Sequence, residues 1–123
     1  MNNGIIVTGG INMILAIAKN DDLVHGFFGS CDTYELITIE NNEVVKRETI
    51  FNDTDTHKLR PAFLKSLGVN AVMIKGLGLT AYDLLKENGI EVYTSDLIPI
   101  EVALQKFIKG EAELMDMPGG AHC

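Results

Sequence analysis

The sulfur and imidazole side chains in this sequence are few, and they fall in segments that are typical of loops and chain ends. Cys31 and His25 flank a Gly/Phe segment, His57 lies just before a helical pattern, and His122 and Cys123 close the sequence. Thiolate sulfur suits soft metals such as iron, and neutral imidazole is a common metal ligand. These five residues are therefore candidate metal ligands.

Each of these residues also has a purely structural interpretation. A free cysteine such as Cys31 is often a small buried apolar residue, and His25 and His57 could be ordinary loop or turn residues. The end of a chain is usually disordered. The sequence has no Cys-x-x-Cys or His-x-x-x-His spacing, which argues against a preformed structural zinc site.

A second candidate site is the turn Gly76-Leu77-Gly78, which the pattern places between a strand and a helix. Free N–H groups and the helix dipole would favour an anion there, such as a phosphate or a negatively charged cluster. Lys75 could add a positive charge, and Thr80 is the expected N-cap of the helix. A plain tight turn explains the same residues, and neither the dinucleotide fingerprint nor the P-loop pattern is present.

The elements that must position these residues follow from apolar runs and turn signals. The sequence predicts a strand buried on both faces over 13–18, a hairpin of 34–40 and 43–51 joined by Asn41-Asn42, and short strands at 71–74 and 90–93. Three helices are predicted between Leu59 and Gly68, between Thr80 and Gly89, and between Pro99 and Gly110. The first helix should bury Leu59, Ala62, Phe63 and Leu67.

This order predicts a single α/β domain with a five-stranded mixed sheet, in which helices cover the faces and crossovers join parallel strands. Residues 1–12 form an N-terminal extension that we expect to be a mobile arm. Residues 13–113 form the domain, and residues 114–123 form a flexible acidic tail that ends in His-Cys.

Composition and charge exclude several classes of protein. The 123 residues suit one domain, and the net charge of −7 argues against partners such as nucleic acid or an anionic membrane surface. Two cysteines make no disulfide framework, and the longest uncharged run is too short and too glycine-rich to span a membrane. We expect a cytoplasmic protein.

Three stretches together resemble the dinitrogenase iron–molybdenum cofactor biosynthesis family, which comprises small nitrogenase accessory proteins and their relatives. They are residues 23–36 (LVHGFFGSCDTYEL), 56–78 (THKLRPAFLKSLGVNAVMIKGLG) and 88–93 (NGIEVY), and the resemblance runs from about residue 13 to 113. Phe28 and Gly29 match the Phe-Gly of the family's first-loop motif. Phe27 stands where the family commonly has His, and His25 lies two residues earlier.

The resemblance implies a ribonuclease H-like fold and a non-catalytic protein that binds or carries an iron–sulfur or iron–molybdenum type cluster or its precursor. The implied pocket lies between residues 24–31 and 76–80. Its metal ligands would be Cys31 and His25, supported by His57 and closed over by His122 and Cys123. Its cofactor-binding residues would be Phe28, Gly29, Gly76, Gly78 and Thr80.

Two other functions stay open at this point. A metal-free accessory domain that recognises a protein partner is favoured by the acidic tail and by the missing family histidine. A ribonuclease H-type nuclease would need clustered carboxylates for two Mg²⁺ ions, and the strand 13–18 contains none. Nucleophilic catalysis by Cys31 with a histidine is formally possible. We expect a protein that is not an enzyme.

Overall fold

The computed structural model describes residues 12–26, 33–51 and 60–115. Within these ranges the chain forms seven strands and three helices. In chain order they are β1 (Asn12–Asn20), β2 (Leu23–Val24), β3 (Thr33–Glu40), β4 (Glu43–Phe51), α1 (Arg60–Ser66), β5 (Ala71–Ile74), α2 (Leu79–Glu87), β6 (Glu91–Thr94), α3 (Ile100–Ile108) and β7 (Glu113–Leu114).

The strands form one mixed sheet in the order β4-β3-β1-β5-β6-β7, with β2 paired to β1 beside this path. The strands β1, β5 and β6 run parallel to one another, and the remaining pairings are antiparallel. The prediction of a mixed α/β fold is confirmed. The prediction of five strands is wrong, because β2 and β7 have two residues each and are too short to produce a periodic pattern. The ribonuclease H-like topology stays a prediction.

The central strand β1 is apolar without interruption because both faces of the sheet are covered. Leu15 and Ile17 point into one core and Ala16 and Ala18 into the other, and all four are 0 % exposed. A strand with one solvated face would alternate with polar residues instead. The interpretation of this run as a strand buried on both faces is confirmed.

Helices α1 and α2 cover one face of the sheet, and α3 covers the other. Leu64, Ala81 and Leu85 pack into the core that contains Ala16 and Ala18. The core that contains Leu15 and Ile17 receives three residues of α3, which are Ala103, Leu104 and Phe107. The predicted face of α1 is wrong in part.

The prediction for α1 named Ala62 as a buried residue and did not name Leu64. Ala62 is exposed, and Leu64 is the fully buried residue. Pro61 is buried at the start of this short helix, so the side that faces the sheet is set by Pro61 and Leu64 rather than by Ala62.

Turn residues behave as the sequence predicts. Asn41 and Asn42 connect β3 to β4 with φ of 55° and 65°, a left-handed conformation that asparagine tolerates. Gly68 and Gly89 follow the ends of α1 and α2 with φ of 81° and 75°.

The sheet extends into the segment that the sequence analysis assigned to the tail. Leu114 pairs with Tyr93, and Met115 N donates a hydrogen bond to Val92 O at 2.8 Å. Tyr82 Oη donates to Met115 O at 3.0 Å, which ties α2 to the same segment. None of the helices in the described ranges is long and apolar enough to cross a membrane.

Candidate functional site

The carboxyl ends of the parallel strands meet at one edge of the sheet. Strands β1, β5 and β6 end at Asn20, Ile74 and Thr94, and the segments that follow carry the candidate residues. In open α/β sheets this edge is the usual place for a ligand. The geometry of the site therefore depends on how these segments are tied to one another.

His25 joins the end of β1 to the turn that follows β5. Its backbone N donates to Ala18 O at 2.8 Å, and its carbonyl O accepts from Lys75 N at 3.3 Å. The side chain of His25 is partly buried. The predicted pocket has two parts within the described residues, which are His25 and the turn that begins at Gly76. The backbone hydrogen bond between Lys75 and His25 brings these two parts together.

The turn after β5 is fixed by one buried side chain and by hydrogen bonds to the segment that follows β6. Leu77 is 0 % exposed in the core beneath α2. Thr94 Oγ1 donates to Lys75 O at 3.1 Å, and Ser95 N donates to Ile74 O at 3.2 Å, so hydrogen bonds join the segments that follow β5 and β6.

The charge of Lys75 faces a carboxylate. Its Nζ lies 3.8 Å from Asp96 Oδ1, and both side chains are well exposed. An exposed pair at this distance is weak, because water screens it. Lys75 therefore stays available as a cation near the turn, although its nearest charged partner is acidic.

The start of α2 differs from the prediction. Gly78 is the N-cap, with φ −82° and ψ 173°, and its carbonyl O accepts from Tyr82 N at 3.0 Å. Thr80 is the second residue of the helix, so its prediction as the N-cap is wrong. The buried Leu77 fixes where the chain turns, and glycine is an acceptable N-cap because it adopts extended backbone freely. Gly78 has no side chain to cap the first turn, whose N–H groups can therefore serve an anion.

An open depression of about 870 Å³ lies beside His25. It is also lined by Lys19, Thr33, Thr49, Phe51 and residues 20–22. Thr33 and Phe51 are paired neighbours in β3 and β4, so the beginning of β3 and the end of β4 lie at the same edge as His25.

Six of the predicted site residues lie outside the described residues: Phe28, Gly29, Cys31, His57, His122 and Cys123. His25, Gly76, Gly78 and Thr80 lie inside them. Within residues 12–26, 33–51 and 60–115, no group of three His, Cys, Asp or Glu side chains is arranged to hold a metal ion. The described residues thus supply one predicted imidazole and a turn of backbone amides, while both cysteines belong to the remaining segments.

Sequence analysis missed a carboxylate in the interior of the sheet. Glu35 is 8 % exposed, and its Oε1 accepts hydrogen bonds from Lys19 Nζ at 3.2 Å and Thr49 Oγ1 at 3.0 Å. Arg47 Nε donates to Oε2 at 3.1 Å, and Arg47 Nη1 lies 2.7 Å from Glu101 Oε2 on α3. The signal was present, because alternation along β3 places Glu35 on the same face as the buried Ile37 and Ile39.

The environment of Glu35 fixes its charge. Burial raises the pKa of its carboxyl, but hydrogen bonds from Lys19, Thr49 and Arg47 and the charge of Lys19 outweigh burial and leave the pKa below its ordinary value. Burial lowers the pKa of Arg47, and its bonds to Glu101 and Glu35 raise it overall. A carboxylate held ionised in this way stabilises the fold and is poorly suited to donate a proton.

The described architecture is shared with solved structures. The crystal structure of the protein MJ0327 of Methanocaldococcus jannaschii matches with a TM-score of 0.76 and 28 % identity, covering 88 % of this chain and 99 % of that one. The apo form of the orange protein from Desulfovibrio gigas matches with a TM-score of 0.73, covering 90 % of this chain and 99 % of that one. Its identity is 16 %, so this likeness concerns the fold alone.

Sequence comparison leads to the same group of proteins. The uncharacterized protein MJ0580 of Methanocaldococcus jannaschii is 26 % identical over 106 residues, covering 82 % of this chain and 90 % of the relative. A family model described as dinitrogenase iron-molybdenum cofactor matches residues 12–110, which is most of the chain. The chain therefore belongs to the dinitrogenase iron–molybdenum cofactor family.

Proposed function

We propose that this protein binds and carries an iron–sulfur or iron–molybdenum type cluster, or a precursor of one, in an accessory role. Family membership supports a role connected with this cofactor. The proposed cargo is anionic and contains iron, and a cluster-handling protein in the reducing cytoplasm would deliver or receive it. The protein itself performs no chemistry on the cargo in this proposal.

The hydrogen bond between Lys75 N and His25 O is the observation that carries the proposal. It joins the imidazole-bearing segment after β2 to the turn at Gly76 and Gly78, with a separation of 3.3 Å. An imidazole supplies a metal ligand, and the amides at the start of α2 favour the negative charge of a cluster. The two interactions that such a cargo needs therefore come from neighbouring backbone segments.

We propose Cys31 as the thiolate ligand. Thr33, two residues later in the sequence, lines the same depression as His25. Thiolate is the ligand that iron–sulfur clusters use most, and imidazole can replace it on one iron. In this proposal His57 supports the cargo, Phe28, Gly29 and Thr80 line the pocket, and the terminal His122 and Cys123 close over it.

Anaerobic reconstitution tests this function directly. The purified protein, offered iron and sulfide under reducing conditions without oxygen, should acquire sulfur-to-iron charge-transfer absorbance together with iron and acid-labile sulfide. Cys31→Ala should abolish the absorbance and His25→Ala should weaken it. Ser30→Ala is the matched control and should leave it unchanged. Absence of bound iron in the native protein isolated anaerobically, or full loading of Cys31→Ala, would overturn the proposal.

A second candidate is a metal-free domain that recognises a protein partner. The net charge of −7 favours it, because an acidic surface steers association with a basic partner. Iron and sulfide analysis of the native protein separates the two functions. A metal-free protein that resists reconstitution supports the second candidate, and stoichiometric iron supports the first.

A further inference from the structure

Strand β4 forms an edge of the sheet and is unusually long for an edge strand. Its nine residues pair with β3 on one side, and among the described strands no other pairs with it. Eight of the nine residues are exposed and Ile50 is partly buried. A long edge with free backbone N–H and C=O groups can pair with another strand unless something prevents it.

The exposed side chains of β4 include an apolar fraction. Val44, Val45 and Phe51 are 37 %, 54 % and 69 % exposed, and they are three of the eight large exposed apolar side chains in the described ranges. Val44 and Val45 lie near the start of β4 and Phe51 lies at its end, so exposed apolar side chains flank the charged residues of this edge. The charged residues between them decide which partner fits.

The sequence of β4 is complementary to itself in one antiparallel register. A two-fold axis through Arg47, perpendicular to the sheet, brings residues 46–48 of two copies directly opposite one another, and the β-bulge at Val45 shifts the pairing by one residue beyond this triplet. The axis places Lys46 of each copy opposite Glu48 of the other, so two cross-strand ion pairs form in place of the exposed 3.6 Å pair that Lys46 and Glu48 make within each strand. Beyond the bulge, Val44 lies beside Thr49 of the other copy, and Glu43 lies beside Ile50.

Neighbouring registers are disfavoured by charge. Residues that lie opposite each other in a continuous sheet must point to the same face. An axis midway between two residues would break this rule, so the axis can pass only through a residue. Moving it to Lys46 places the two Lys46 side chains opposite each other, and moving it to Glu48 does the same for the two Glu48 side chains. Like charges directly opposite are destabilising in a sheet.

Arg47 lies on the two-fold axis and therefore faces Arg47 of the other copy without strong repulsion. The guanidinium of Arg47 is held by Glu35 at 3.1 Å and Glu101 at 2.7 Å, so its charge is neutralised within each subunit before the edges meet. The β-bulge that β4 forms against Thr38 and Ile39 lies at Val45, outside the central triplet of residues 46–48.

We propose that β4 binds a second copy of this chain, edge to edge and antiparallel, around a two-fold axis at Arg47. The two sheets then form one continuous sheet. Lys46 and Glu48 select the register, and Val44 contacts the methyl group of Thr49 of the other copy. None of the proposed cluster ligands lies on β4, although Thr49 and Phe51 border the depression beside His25.

Charge exchange at positions 46 and 48 tests the register, with sedimentation velocity over a wide concentration range as the measurement. Lys46→Glu and Glu48→Lys each turn the two attractive pairs into repulsive ones, so each should raise the dimer dissociation constant by about tenfold or more. The double variant, Lys46→Glu with Glu48→Lys, restores opposite charges and should return the constant close to that of the parent.

Lys109→Glu is the matched control, since it makes the same charge change on an exposed residue beyond α3. It should leave the dimer unchanged. Lys46 and Glu48 are both well exposed, so their substitution should not disturb folding, and circular dichroism checks this. A parent protein that is monomeric at every concentration, or single variants that dimerise as well as the parent, would overturn the proposal.

Hydrogen exchange gives a second readout. Amide protection of residues 43–51 should increase with protein concentration in the parent and should be lost in the single variants. Amide protection of β4 that is independent of concentration and disappears on deletion of residues 1–11 would mean that these residues cover β4 within one copy. This result would refute the second copy as the partner of β4.

Discussion

At the residue scale, Glu35 shows how a charge is tolerated between sheet and helix. Its carboxylate receives hydrogen bonds from Lys19, Arg47 and Thr49, so both oxygens are satisfied although the residue is 8 % exposed. Arg47 extends the network to Glu101 on α3. Removing one member of a buried polar network leaves its partners desolvated and unpaired, which costs more than the bond itself contributes.

Substitution of Glu35 should therefore change both stability and its dependence on pH. Because the pKa of Glu35 is lower in the folded protein than its ordinary 4.5, its ionisation stabilises the fold above that pH, and this contribution is lost as the pH falls through the folded-state pKa. Glu35→Gln should lower the free energy of unfolding at pH 7 by about 1–3 kcal/mol. It should also make the urea midpoint fall less steeply below pH 5 than in the parent.

Urea unfolding followed by circular dichroism from pH 3 to pH 7 measures both effects. The control is Glu87→Gln, an exposed residue of α2, which should change the free energy of unfolding by less than about 0.5 kcal/mol. Equal behaviour of the two variants at every pH would show that the network contributes nothing to folding.

At the element scale, two glycines that follow helices show how backbone conformation limits substitution. Gly68 and Gly89 both have positive φ after a helix, but their surroundings differ. A Cβ at Gly68 would lie 3.4 Å from Ile14 Cδ1, whereas a Cβ at Gly89 would meet no atom within 4 Å. Both positions carry the cost of the left-handed backbone, and a Cβ at Gly68 would in addition make a van der Waals contact with β1.

We therefore expect Gly68→Ala and Gly89→Ala each to lower the free energy of unfolding by about 1–2 kcal/mol, with no larger loss at Gly68, where the added methyl group gains a contact. Urea denaturation of the two variants at pH 7 compares them directly. A larger loss in Gly68→Ala than in Gly89→Ala would contradict a favourable contact with Ile14.

The elements themselves could largely be predicted from sequence, for identifiable reasons. Continuous apolar runs gave β1 and β5, and the Asn41-Asn42 pair gave the hairpin, because these signals are local. The two-residue strands β2 and β7 were missed because their pairing depends on tertiary contacts, such as that of Leu114 with Tyr93.

The candidate site was predicted only in part. The approach of His25 to the turn at Gly76 follows from parallel strands ending at one edge, a rule of topology that sequence order already implies. The start of α2 at Gly78 was missed because burial of Leu77 decides it, and burial of one residue is not visible in a local pattern. Cys31 and His57 lie outside the described residues, so their predicted roles depend on the reconstitution experiment.

At the scale of the whole molecule, one strand holds two cores together. Leu15 and Ile17 pack toward α3, while Ala16 and Ala18 pack toward α1 and α2. The core beneath α3 also contains an edge-to-face contact between Tyr93 and Phe107, with ring centroids 5.0 Å apart. Since loss of either helical layer exposes one face of β1, neither core is expected to survive without the other.

This arrangement predicts a single cooperative unfolding transition. Native amide NMR signals of Leu85 in α2 and Leu104 in α3, which are 0 % and 2 % exposed, should disappear at the same urea concentration. Leu85→Ala and Leu104→Ala should each lower the free energy of unfolding by about 2–5 kcal/mol and move both sets of signals together.

The control for these variants is Val102→Ala, at an exposed position of α3, which should change stability by less than about 0.5 kcal/mol. All samples need one fixed protein concentration, because dimerisation through β4 would add a concentration-dependent term to stability. If Leu104→Ala loses the signals of α3 at lower urea than those of α2, then the two faces of the sheet unfold separately. In that case β1 would support each layer alone, rather than joining both into one cooperative unit.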